Sequence, residues 1–210
     1  MVAAKRVVSA KRETVTMRMH FSFGLLVTVM MAISLAIWAI MLLGPLAHIR
    51  ELAGGLVPFD LRRSGYGPAE ARDFLTALGE AGRAYYANVQ LRIDTLYPAT
   101  YALSRGLLLW WLTMPGRLSE AAVPPSFRWP LLLMPLAAAG FDYLENANIA
   151  TMLAVGPSVA VPTIANAAIA SEAKSLASLL TELTWIVLAA VAARRWQRGR
   201  RQIPPAATSG

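Results

Sequence analysis

No charged residue stands between Arg18 and Arg50; the only titratable groups in that run are His20 and His48, one near each end. About 20 consecutive apolar residues cross a hydrocarbon core roughly 30 Å thick. Residues 21–43 therefore read as a transmembrane helix, with Trp38 near its outer end as an interfacial anchor. The run is too long for the apolar region of a secretory signal, about 7–15 residues. Whatever else the chain does, this stretch sets a bilayer as its solvent.

The charge pattern agrees. Only 15% of residues are charged while 56% are hydrophobic, against about 25% charged in a soluble domain. The net charge of +8 does not point to nucleic acid, because the bases gather at the chain ends: five of 20 Lys/Arg precede Phe21 and five lie in Arg194–Arg201. Basic ends around an apolar middle are the mark of cytoplasmic flanks. Residues 1–20 and 194–210 thus read as cytoplasmic tails, the last nine residues as disordered. Cysteine is absent, which excludes disulfides and thiol chemistry.

Residues 44–93 form the one sizeable polar segment, and its near-neutral charge suits the outer side. Pro68 at a first turn, Glu70 behind it and the stripe Ala71, Leu75, Leu78 predict a helix lying on the membrane or on the bundle. Gly79 and Gly82 mark a bend. A second helix is expected from near Glu80 into the bilayer, spanning 94–114. Along it Arg83, Tyr86, Gln90, Asp94, Tyr97, Tyr101 and Arg105 recur every three or four residues, on one helical face. Pro98 interrupts the run and can kink it. Trp110 and Trp111 suit the inner interface, and a tight inner turn carrying Arg117 and Arg128 follows.

The third span is expected at 129–153 and the fourth at 173–193, with the uncharged segment 154–171 as a close-packed outer connection. Within the third span, Phe141–Ile149 reads FDYLENANI and places Asp142, Glu145 and Asn146 on one face. Ionisable groups at bilayer depth are costly and are functional-site candidates by default. At about 1.5 Å per residue, Asp142 lies about 20 Å from the inner face and Glu182 about 18 Å, while Arg105 lies about 16 Å below the outer face. Those levels bring Asp94, Tyr97, Tyr101, Arg105, Asp142, Glu145, Asn146 and Glu182 toward one outward-opening cavity. Arg105 is expected to pair with Glu182 or Asp142, since an unpaired guanidinium in hydrocarbon is the costliest arrangement available.

The expected fold is all-α: a four-transmembrane-helix bundle with a helical extracytoplasmic segment between the first two spans. Phosphate-cradling, zinc-protease and nucleophile-elbow motifs are absent, and the histidines are too far apart to share a metal. No metal site and no particular cofactor is expected. The segments GYGPAEA, LGEAGRAYY, DTLYPATY and FDYLEN resemble a pattern in four-helix bacterial membrane proteins of uncharacterised activity. That resemblance covers residues 66–146 and supports the topology and the choice of site residues; the leading functional reading is a bacterial inner-membrane protein. The four-span layout with a long first outer loop is also similar to claudin-like bundles, without their cysteines.

On this reading the site takes a small ligand, a cation or a proton, with Asp94, Asp142 and Glu145 as ligands or proton carriers. Tyr97 and Tyr101 would donate hydrogen bonds and Arg105 would supply the counter-charge. A second reading is a non-enzymatic accessory subunit of a membrane complex, contacting partners through Pro68–Leu78 and the start of the fourth helix. A third is an intramembrane acid–base enzyme acting on a lipid or isoprenoid. Against all three stands a plainer possibility, a polar network that only fixes helix register. The partners expected are the lipid bilayer, a small ligand or another membrane protein, and no nucleic acid.

Overall fold

A computed structural model describes residues 2–114 and 123–201, which are all-helical with no strand among them. The long helix α1 runs Val2–Leu43, so residues expected as a basic tail and the expected first span form one helix. It ends at Gly44, where Pro45 lacks the amide needed to go on and opens the short α2, Pro45–Leu52. A 3-10 turn at Phe59–Leu61 leads to α3, Pro68–Tyr85, started by Pro68 and by Glu70, whose carboxylate accepts from the Gly67 N–H at 2.8 Å. Gly79, at φ +63°, bends α3 where a side chain would be strained.

The expected continuous second helix is broken. A π-helical segment, Tyr86–Gln90, leads to the single turn α4, Leu91–Asp94; α5 then begins at Tyr97 and ends at Leu112. Pro98 falls in the first turn of α5, so it opens a helix rather than kinking one. The joint is clamped from outside: Tyr143 Oη donates to the Thr95 carbonyl at 3.0 Å. Helix α6 runs Arg128–Val155, and α7 runs Val161–Arg201. The fourth helix thus begins at Val161, well before the expected Ala173. What read as a long connection is a 3-10 turn, Gly156–Ser158, between two helix ends, with Gly156 at φ +75° stopping α6. The inner turn around Arg117 and the tail after Arg201 lie outside the described residues.

Two apolar cores sit at opposite ends. At the cap end Ile49, Phe59, Phe74, Leu75 and Tyr86 pack with Ile149, Met152 and Ile164 from the tips of α6 and α7, all fully buried. Arg62 holds this cap's loop: its guanidinium lies 5.2–5.6 Å from the rings of Phe59, Tyr66 and Phe74, and its Nε donates to the Val57 carbonyl at 2.8 Å. From α3, Arg72 and Arg83 reach the α6–α7 junction; Arg83 lies beside Gly156 at the negative end of α6. At the far end Val27, Leu108 and Leu112 pack with Trp111, Trp185 and Leu188.

The long helices turn apolar residues outward. Two segments, Phe23–Leu52 and Val161–Arg198, are long and apolar enough to cross a membrane. Only 17% and 6% of their most apolar windows are buried, so they lack the burial of a soluble domain's core helix. Helix α5 has 16 residues, about 24 Å, and α6 carries Asp142, Glu145, Asn146 and Asn148 in its second half.

Candidate functional site

Between the two apolar cores lies a polar layer, and in it a cavity of about 510 Å³. Its floor is Arg105 of α5. The Nε donates to Glu182 Oε1 at 3.0 Å, while one terminal nitrogen reaches Ser34 Oγ at 3.3 Å and Ser104 Oγ at 3.2 Å. The guanidinium also lies 4.8 Å from the centre of the Tyr101 ring. Glu182 is held in turn by Trp185 Nε1, and Tyr101 Oη points to the Ser178 carbonyl at 3.5 Å. One cation thereby ties α1, α5 and α7 together. Of the two expected partners for Arg105, the structure selects Glu182.

Asp142 pairs elsewhere. Lys174 of α7 puts its ammonium 3.2 Å from Asp142 Oδ1 and in contact with Glu145 Oε2. All three side chains are largely or wholly buried, Glu145 completely. Lys174 was not singled out from the sequence. The signal was there: Lys174, Ser178 and Glu182 stand four residues apart, which puts them on one face.

Asp94, only 2% exposed, closes the other wall at the end of α4, with Asp60 in hydrogen-bonding reach and Asp142 and Lys174 as its further charged neighbours. Asp60 also escaped the sequence reading. It comes from the cap's 3-10 turn and is oriented by Tyr86, whose hydroxyl donates to Asp60 Oδ2. The remaining oxygen, Oδ1, is buried without a hydrogen-bond partner among the described residues. Burial pushes the Tyr66 and Tyr86 phenols well above their usual range. The negative charge of Glu145 comes next at Tyr66, and that of Asp60 at Tyr86. Burial also lowers the Arg62 guanidinium.

Of the eight residues expected to meet, Asp94, Tyr97, Tyr101, Arg105, Asp142 and Glu182 line this single cavity. Glu145 stands behind it and acts through Lys174. Asn146 does not line it; its amide is buried without a hydrogen-bond partner among the described residues, as is that of Gln90. Arg83, the first member of the helical stripe, is turned away to the α6–α7 junction. Among the described residues no group of three His, Cys, Asp or Glu is arranged to hold a metal ion.

Chemically, the cavity offers two ion pairs and two further carboxyls, Asp60 and Asp94, with phenols and serine hydroxyls around them. Such a surface can bind hydrogen-bond donors or pass a proton between carboxyls. No family model, no curated protein and no solved structure matches the chain, so its function rests on the chemistry of this cavity.

Proposed function

We propose that the chain is a four-span bacterial inner-membrane protein, both termini cytoplasmic, that binds a small polar ligand or carries a proton in this cavity. Helices α1, α5, α6 and α7 are the spans, and the cap made by α2, the Phe59–Leu61 turn and α3 lies outside. The observation that carries the reading is the unequal charge pairing of the cavity wall. Lys174 and Arg105 pair with Asp142, Glu145 and Glu182, whereas Asp60 and Asp94 face the cavity with no ion pair of their own among the described residues and feel Lys174 only from a distance. A network built only to fix register would gain nothing from a further carboxyl pair, Asp60 and Asp94, set side by side without a cation of its own. A metal ion is the weaker form of the proposal, because Lys174 already stands between Asp142 and Glu145 as the site's own cation.

The test is isosteric. Asp94→Asn and Asp142→Asn keep volume and hydrogen-bonding capacity but remove the ionisable group. Each is expected to abolish complementation of a deletion strain while leaving expression and membrane insertion intact. Full complementation by the doubly neutralised protein would overturn a ligand or proton role and leave a structural network.

A further inference from the structure

The cavity also opens sideways. Leu35 and Trp38 of α1 and Leu179 of α7 line it, yet are 59%, 38% and 54% exposed, so the same side chains form its wall and its rim. Helix α1 packs on α5 and α7 packs on α6, but α1 and α7 do not pack along their length. Between the two apolar cores, the hydrogen bonds that join α1 to α7 among the described residues are those of the Ser34–Arg105–Glu182 bridge, and it lies at the floor. Above that bridge the gap between α1 and α7 is apolar at its edges and polar within.

We infer that the occupant is a bilayer amphiphile, a zwitterionic aminophospholipid, whose head enters between α1 and α7 while its acyl chains remain in the seam. This rests on the cavity being a ligand site. Charge complementarity selects the head. Once the two ion pairs are set aside, the lining leaves Asp60 and Asp94 for a cation and Arg63, exposed at the cap side, for an anion. An ammonium meets the Asp60 and Asp94 carboxyls that line the cavity, and a phosphate meets the guanidinium. An anionic head with no ammonium would place its charge against the carboxyls instead. Leu35, Trp38 and Leu179 give the chains an apolar exit.

The full-length protein is reconstituted in vesicles of equimolar phosphatidylethanolamine and phosphatidylglycerol, extracted, and examined by native mass spectrometry. The expected result is one retained phosphatidylethanolamine, preferred over phosphatidylglycerol by about tenfold, which corresponds to about 1.4 kcal/mol. Asp94→Asn is expected to erase the preference. Leu179→Trp, which fills the seam, is expected to abolish retention, whereas Leu26→Trp on an exposed face of α1 is not. Equal retention of both lipids, or retention unaffected by Leu179→Trp, would overturn the inference. A Leu179→Trp protein that still complements the deletion strain would also overturn it, while leaving the polar site itself standing. Loss of the site reading is a separate result, read from the neutralised aspartates.

Discussion

Lys174 Nζ on α7 lies 3.2 Å from Asp142 Oδ1 on α6, and the same ammonium contacts Glu145 one helical turn further along. One cation therefore compensates two carboxyls, and neither can be exposed to its neighbour without it. Lys174→Met is expected to destabilise the protein by about 3–5 kcal/mol, the usual cost of stripping a buried pair of one partner. The triple variant with Asp142→Asn and Glu145→Gln is expected to recover most of that loss, since no uncompensated charge remains. Thermal unfolding in detergent reads both. A single variant as stable as wild type would show that the ammonium is not held there.

The Arg105–Glu182 pair crosses from α5 to α7 and is joined by Ser34 of α1. Arg105→Ala and Glu182→Ala are each expected to destabilise, and the double variant by less than their sum. The expected coupling is about 1–3 kcal/mol. Additive effects in that cycle would mean the contact contributes nothing.

Much of this arrangement was legible in the sequence, for definite reasons. The stripe from Tyr86 to Arg105 and the FDYLEN face have helical spacing, so their side chains could be assigned to one side without coordinates. Depth left Glu182 and Asp142 both open as partners of Arg105, and only the packing of α7 selects Glu182. Lys174 was hidden because a lone lysine in an Ala/Ser-rich stretch reads as a solvated helix start, and α7 in fact begins well before it. That earlier start was hidden in turn by Gly156, Pro157 and Pro162. These read as loop residues, whereas they end one helix and open the next. Asp60 could not be found by periodicity at all, since a loop carboxylate meets its partners only through tertiary packing.

The two buried phenols give the protein an alkaline limit. Free tyrosine ionises near pH 10, and burial raises both Tyr66 and Tyr86 above that. Above about pH 10 the unfolded chain releases protons that the folded chain retains, so stability falls as pH rises. Below that pH the contribution is fully present. Tyr66→Phe removes a buried hydroxyl that has no hydrogen-bond partner among the described residues. It is expected to be close to neutral at pH 7 and to flatten the decline in denaturation midpoint between about pH 9 and about pH 11. An unchanged alkaline slope would show that Tyr66 does not contribute.

Topology can be tested cleanly because the chain has no cysteine. Ser64 is exposed on the cap. Ser64→Cys is expected to react with a membrane-impermeant maleimide in intact spheroplasts. Labelling only after the membrane is broken would invert the proposed orientation.

Along one side of α7, Ser171 donates to the Arg62 carbonyl in the cap, Lys174 holds Asp142 and Glu145, and Glu182 holds Arg105 at the floor. These three attachments are spaced along one rigid rod. A turn of α7 about its own axis by a single residue's angle, about 100°, would release all of them together, and a slide along that axis would load all of them together. Cap, wall and floor are thus geared to one shaft, and the cavity cannot loosen at one level while keeping its grip at the others.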